Sequence, residues 1–231
     1  SVLETFFIDS QNVCFLSELK EEQIADHLCE SPSSVAFLGQ ETGRVCPEGI
    51  SFETRRGCLF IHAGSKVRRK GSKARAGVFI ALGPRFTRLW NTTGKVLSHS
   101  MRHVAIELHL SGHRICVASA YAPLSTSSSR LRSSFCSELA SFASDSTRSV
   151  IVGIDSNSSV GTGRHGLTES IGPYNMPHVN AAGRDFQDFL TTHSLCLADT
   201  FFPKRNELAM TTWVHHRTGQ PYSLDHFITD P

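Results

Sequence analysis

The stretch SVIVGIDSNSSVG, Ser149 to Gly161, begins as an apolar, β-branched run and then turns polar at once, with a carboxylate, Asp155, and an amide, Asn157, either side of a serine. Val150, Ile151, Val152 and Ile154 show no polar alternation, which reads as a strand buried on both faces. In sheets covered on both faces, ligands gather just past the strand ends, so position as well as residue type marks Asp155 and Asn157. Alone, the pair is equally an Asx turn. The rest of the chain has to decide between a turn and a site.

The outer bounds are broad. At 231 residues the chain fits one large domain or two small ones. With 39% hydrophobic and 19% charged residues it is globular, and a net charge of +2 does not by itself demand a polyanionic partner. No apolar run approaches the roughly 18 residues that span a bilayer, so no membrane association is expected. SVLETFF at the start has no basic residues and no long apolar core, so a nuclear or cytoplasmic rather than a secreted protein is expected. Seven unclustered cysteines read as free thiols in a reducing compartment.

Working outward from β-branched 149–154, similar strands appear along the chain: VAFLG (35–39), GCLFIHAG (57–64) and AGVFIALG (76–83). HVAIELHL, Ser111-Gly112 and RICVASAY read as a hairpin. CLADTFF, MTTWVH and SLDHFIT are three further strand candidates. Helices are expected over Leu16–Ser31, with Leu16, Leu19, Ile24 and Leu28 facing inward, over LRSSFCSELASFA, with Leu131, Phe135, Leu139 and Phe142, and over GRDFQDFLTTHSL, with Phe186, Phe189, Leu190 and His193. Strands outnumber helices and the two are interleaved, which predicts an α/β domain.

Polar residues recur at the ends of these strands: Glu41, Tyr121, Asp155 with Asn157, Thr212, and Asp225 with His226. Glutamate, aspartate and asparagine at strand ends, without a thiolate cluster, make an oxygen-rich donor set suited to a hard divalent cation that keeps water and phosphate in its shell. That combination suggests metal-assisted hydrolysis of a phosphate ester. A GxxxxGKS loop is absent, so a nucleoside-triphosphate P-loop is not supported.

FLGQET (37–42), SAYAP (119–123), GIDSN (153–157) and TTW (211–213) followed by LDHFIT (224–229) resemble, in this order, the motifs of the endonuclease/exonuclease/phosphatase superfamily. The stretch 163–202, with its His-Gly, a Gly-Arg before a helix and a TFF, is most similar to the apurinic-endonuclease-like domains of non-LTR retrotransposons. The resemblance implies a two-sheet β-sandwich flanked by helices on both faces, a DNase-like four-layer fold, formed by residues 1–231 as one domain. It also implies a metal-dependent DNA endonuclease that nicks one strand and leaves a 3′-hydroxyl for reverse transcription. The expected partners are DNA, Mg²⁺ (or Mn²⁺ in its place), and a reverse transcriptase in a larger polyprotein.

By the same resemblance, Glu41 is the metal ligand. Asn12, in QNV, orients it, although Gln11 departs from the usual residue before that asparagine. Asp155 positions or deprotonates the attacking water, Asn157 hydrogen-bonds the phosphate, and Tyr121 stabilises developing charge. Asp225 supports the site and Thr212 contacts a backbone phosphate. GIDSN carries Ser156 where an aromatic is usual, which should mainly alter packing. The resemblance reads SLDHF as the family's Ile-Asp-Tyr motif, with the terminal Ser-Asp-His absent and the domain truncated. The alternative is that LDH is itself the terminal motif, with an intervening element deleted; spacing from Trp213 favours the first. On the first reading, hydrolysis by this segment alone should be severely weakened.

Two other features carry alternatives. KVRRKGSKAR (66–75), with Arg68, Arg69 and Lys70 at its centre, is either a solvated loop or a sequence-blind contact to a phosphate backbone. His99, His103, His109 and His113 have the composition of a zinc site, but they straddle the expected hairpin with no cysteine beside them, so packed or solvated histidines are expected. Against the endonuclease stand another phosphodiesterase of the superfamily, acting on abasic DNA, RNA or a phospholipid or inositol phosphate, and a catalytically inactive nucleic-acid-binding remnant.

Overall fold

The computed structural model describes residues 6–31, 33–67, 76–163 and 169–231. Arg68, Arg69 and Lys70, and the His-Gly of 165–166, lie outside them. The class is mixed α/β with two large sheets and flanking helices, and the chain forms two compact units, Ser1–Tyr121 and Ala122–Pro231. Among the described residues no helix is long and apolar enough to cross a membrane.

The first unit runs β1 (Phe7–Asn12), α1 (Glu18–Glu30), β2 (Ser34–Gln40), β3 (Ile50–Arg55), β4 (Cys58–Ala63), β5 (Val78–Leu82), α2 (Pro84–Thr93), β6 (Lys95–Ser100), β7 (His103–Leu110) and β8 (His113–Tyr121). One sheet has the order β1-β2-β5-β4-β3, with β1 parallel to β2 and the other pairs antiparallel. A second layer is the antiparallel meander β6-β7-β8. β4 and β5 pack against β7, and β2 and β5 against β8. All of β4 and β5 is buried, which explains their unbroken apolar sequence. Phe60 and Phe79 stack at 5.9 Å on the face that α1 covers with Ile24, Ala25 and Leu28. Each of these large side chains contributes about 1.5–3 kcal/mol on leaving water.

Local chemistry sets the boundaries. Ser17 caps α1 by accepting from Lys20 N. The β7–β8 turn is Ser111-Gly112, both at positive φ, as a two-residue primed turn requires. Gly39 within β2 is there for space: a Cβ would sit 1.8 Å from the Phe79 ring.

The second unit runs α3 (Ser129–Ala143), β9 (Ser149–Asp155), α4 (Ala181–Thr192), β10 (Cys196–Leu197), a 3-10 turn (Ala198–Phe201), a second one (Glu207–Met210), β11 (Trp213–Val214), β12 (Pro221–Tyr222) and β13 (Asp225–Thr229). β13 lies antiparallel between β9 and β10. Phe135, Leu139 and Phe142 of α3, Phe186 and Leu190 of α4, and Val152 and Ile154 of β9 are all buried. Arg132 Nε donates to Asp185 Oδ2 at 2.7 Å, joining α3 to α4.

Several expectations need correction. Leu19 is 69% exposed and Leu131 43% exposed; neither faces the core. In α1 the inward position belongs to Glu21, drawn in by two arginines described below. CLADTFF is strand only at Cys196–Leu197, because Asp199 turns back to accept from Phe227 N. MTTWVH pairs only through Trp213–Val214. His193 is not on the apolar face of a helix but caps α4, with its Nδ1 2.9 Å from Ser144 Oγ. Sequence periodicity did not find β3, α2 or β6.

Candidate active site

In the first unit, parallel pairing places Asn12 opposite Gln40, so Glu41 emerges beside Asn12. Asn12 Nδ2 donates to Glu41 Oε2 at 3.0 Å. Asn12 Oδ1 accepts from Cys14 N at 3.0 Å, and Phe15 N donates to Glu41 O at 2.9 Å. Lys20 Nζ, on α1, donates to Phe15 O at 3.0 Å. Cys14, Phe15 and Glu41 all have positive φ, at 45°, 74° and 58°. Such non-glycine conformations cost on the order of 1–3 kcal/mol and need surrounding bonds to hold them. The two turns brace one another and leave Glu41 half-buried, with Oε1 unused in these bonds.

The residue before Glu41 anchors it. Gln40 is fully buried, and its Nε2 lies 3.1 Å from Ser10 Oγ and 3.2 Å from Ser119 Oγ. Ser119 Oγ donates to Gly39 O at 2.9 Å. One amide thus joins β1, β2 and β8 near the ends that carry Asn12, Glu41 and Tyr121. Tyr121 is buried. Its N donates to Arg102 O at 2.8 Å, Arg102 Nη1 donates to its O at 3.3 Å, and the guanidinium carbon lies 5.8 Å from its ring centre. Arg102, Ser119 and Cys14, whose Sγ is 3.9 Å from Glu41 Oε2, were not found from the sequence. No spacing signal marks them, because their partners are distant in the chain.

In the second unit, the residues after β9 form the turn that the opening stretch suggested. Asn157 N donates to Asp155 Oδ1 at 2.9 Å, and Asn157 sits at φ 46°. Asn157 Nδ2 gives one hydrogen to Ala122 O at 2.9 Å, leaving its second N–H for a ligand. Ser156 N donates to Leu224 O at 2.7 Å, so this serine ties the end of β9 to the start of β13. The Asx turn and the candidate site are the same object.

Antiparallel register sets Asp225 directly opposite Asp155, which puts the two side chains on the same face of the pair. Burial raises the Asp225 carboxyl above the usual carboxylate range, against the opposing pull of the Thr212 hydroxyl and of His226. Asp225 Oδ1 is buried with no hydrogen-bond partner. Thr212 Oγ1 accepts from Leu224 N at 2.9 Å and Asp225 N at 3.2 Å. Its hydroxyl is therefore occupied at the base of β13, where it positions Asp225. His226 alternates to the opposite face of β13, where its Nδ1 meets Asp199 Oδ2 at 3.0 Å. Burial lowers the His226 pKa, but Asp199 outweighs it and the net shift is upward. Beyond Thr212, the β11–β12 hairpin exposes Trp213 and Val214, with Trp213 5.6 Å from the Tyr222 ring and 5.5 Å from His215.

A second acidic group lies in the first unit. Glu21, Glu53 and His62 place their donor atoms within 4.8 Å of one another, a spacing that a cation accepts. Arg44 already pairs with both Glu21 and Glu53, and Arg55 Nη2 is 2.6 Å from Glu21 Oε2. Burial and then the two arginines press His62 down to about 3, so it stays neutral. A dication would have to displace both guanidinium groups, so the cluster is a buried ionic network. Two of the four histidines considered for zinc have other partners: His103 bonds Ser98 and Ser100, and His109 meets Glu107.

No protein-family profile and no curated protein sequence matches this chain. Solved structures do. The endonuclease domain of TRAS1, a telomere-specific non-LTR retrotransposon, is 14% identical at a TM-score of 0.55, over 97% of this chain and 85% of that one. The human Nocturnin catalytic domain is 15% identical at 0.56, over 96% and 80%. An endonuclease/exonuclease/phosphatase family protein from Leptotrichia buccalis C-1013-b is 15% identical at 0.59, over 97% and 87%. The chain therefore has the DNase-like fold of the endonuclease/exonuclease/phosphatase proteins.

Proposed function

We propose that this chain is a divalent-metal-dependent phosphodiesterase, and that it acts as a DNA endonuclease, nicking one strand to leave a 3′-hydroxyl that a reverse transcriptase extends. The observation that carries the reading is the Asn12–Glu41 bond. It joins two residues at the ends of neighbouring parallel strands and holds a carboxylate outward at a left-handed backbone position. Strain kept at a strand end by dedicated bonds is characteristic of functional positions.

Glu41 Oε1 and the carboxylate around it suit Mg²⁺, which prefers hard oxygen and retains water and phosphate oxygens for the rest of its shell. A bound Mg²⁺ would neutralise charge on the phosphate and on the leaving oxygen. Asn12 holds Glu41 in one orientation. Asp155, fixed by the Asn157 N–H, accepts the proton of the attacking water. The free Asn157 N–H donates to a phosphate oxygen, and Tyr121 stabilises charge as it develops. Asp225 supports Asp155 from the next strand, and Thr212 holds Asp225. The exposed Trp213 with Arg217 offers stacking and charge to nucleic acid.

The test is cleavage of supercoiled plasmid, an abasic duplex and a phospholipid, each with Mg²⁺, Mn²⁺ or EDTA. The expected result is plasmid nicking that EDTA and Glu41→Gln each abolish, with nicked ends that a polymerase extends. Hydrolysis of only the abasic duplex or the lipid would move the assignment to another phosphodiesterase. DNA binding without cleavage in any metal would leave a binding remnant.

A further inference from the structure

Two of the seven thiols meet where α1 ends beside the β3–β4 hairpin. Cys29 Sγ lies 3.7 Å from Cys58 Sγ. Cys29 is exposed on the last turn of α1, while Cys58 is fully buried at the start of β4. Their surroundings hold the two segments together: Arg56, in the hairpin turn, pairs with Glu22 at 3.0 Å and with Asp26 at 2.5 Å, both on α1. Cys29 Sγ also lies 3.5 Å from Arg56 O, and Cys58 Sγ 3.8 Å from Ala25 O. A disulfide requires its sulfurs about 2.0 Å apart. Cys29 has solvent on one side, so it can rotate to close that gap without disturbing the core.

We propose that Cys29 and Cys58 are an oxidisable pair, which closes to an intrachain disulfide under a peroxide and clamps the end of α1 to β4. The Cys29 sulfur attacks a peroxide oxygen and the O–O bond breaks, giving a sulfenic acid and one water. The Cys58 sulfur then attacks the Cys29 sulfur. The S–S bond forms, the S–O bond breaks, and the departing hydroxyl leaves as water with the Cys58 proton. In sum, two thiols and one hydrogen peroxide give one disulfide and two waters. Exposure makes Cys29 the first to react. Burial, and then the neighbouring Cys29, push the Cys58 thiol up to about 12, so Cys58 acts only as the resolving partner.

The clamp reaches the candidate site along one helix. α1 carries Lys20, which holds the Val13 and Phe15 carbonyls in the turn after Asn12. Fixing the far end of α1 therefore stiffens the element that supports the Asn12–Glu41 pair. The pairing itself does not depend on any catalytic activity.

The experiment treats the full chain with hydrogen peroxide, alkylates the remaining thiols, and maps peptides without reduction. The expected result is one linked pair of peptides containing Cys29 and Cys58, the loss of two alkylatable thiols, and reversal by dithiothreitol. Melting should rise by several degrees, as for a cross-link that shortens the unfolded chain. Cys29→Ser, at an exposed position, should remove both the link and the rise. Cys29 over-oxidised or joined to another cysteine, with Cys58 still alkylatable after unfolding, would overturn the pairing. A linked chain that melts no higher would overturn the clamp.

Discussion

Glu21 and Asp225 are two carboxylates drawn out of water, one in each unit, and the chain treats them in opposite ways. Glu21 is bracketed by Arg44 and Arg55, with His62 kept neutral beside them. Asp225 is held by a threonine hydroxyl, keeps a buried oxygen without a hydrogen-bond partner, and is raised toward its protonated form. Burying a charge without compensation is costly, so compensated acids build structure, while an acid left strained signals a site with other work to do. By that criterion the cluster with the more obvious set of metal donors, Glu21-Glu53-His62, belongs to the scaffold. The less conspicuous Asp155–Asp225 pair is the one to which the proposed function assigns the chemistry.

The contrast can be broken by substitution. The largest effect should be on cleavage: Asp155→Asn is expected to lower the nicking rate by about 10²–10⁴-fold with an unchanged melting midpoint, read from a plasmid time course beside a thermal melt. Asp225→Asn should weaken nicking too while leaving stability equal or higher, since it removes a strained charge. Glu21→Gln should do the reverse. It leaves two arginines short of a counter-charge and should cost about 3 kcal/mol, at the low end for a broken buried pair because Glu53 and Glu22 remain. Urea denaturation checks the loss, and nicking per folded molecule should not change. If Asp225→Asn destabilises more than Glu21→Gln, the two roles have been assigned the wrong way round.

Acid should separate the two as well. His62 is pressed to about 3, and His103 to about 4 by burial and then by His99. Both titrate near 6.5 when unfolded. Between those values the unfolded chain takes up protons that the fold refuses. Their stabilisation, complete above about pH 6.5, is lost as the pH falls, and by about pH 4 the loss amounts to roughly 3 kcal/mol for each histidine. Asp225 works with the opposite sign: its raised pKa favours the fold below the ordinary carboxylate range, and that contribution disappears as the pH rises through its folded value. Urea midpoints from about pH 7 to about pH 4 should therefore fall in the wild type and fall less steeply in His103→Gln. A flat profile would refute the neutral buried histidines. The smallest expected effect is that of Thr212→Val, about 1 kcal/mol from the lost bonds to β13. Asp225 should then titrate higher still, because the hydroxyl that lowers its pKa is gone.

Much of this was legible in the chain. Unbroken apolar runs marked β2, β4, β5 and β9, and Ser111-Gly112 marked the hairpin turn, because period and turn chemistry are local properties. Glu41, Asp155 and Asn157 stood out because strand ends can be read from where apolar residues stop, whereas Asn12 was marked only by the family resemblance. The face of α1 could not be read that way. Leu19 is a better core residue than Glu21 by composition, yet Glu21 goes inside because Arg44 and Arg55 converge on it from elsewhere in the unit. β3 and β6 were missed for a related reason: both are partly exposed and take their strand form from pairing with β4 and β7.

The sequence by itself determined the buried strands β2, β4, β5 and β9, their polar ends and the order of the motifs, since each depends on neighbours a few residues away. Only the tertiary structure decided the partners. It set Gln40 against Ser119, turned the Thr212 hydroxyl to β13, placed Asp225 opposite Asp155, and left Cys29 beside Cys58. Each of those contacts joins residues that no local period relates, and the hydrogen bonding or burial that selects it exists only once the layers have closed.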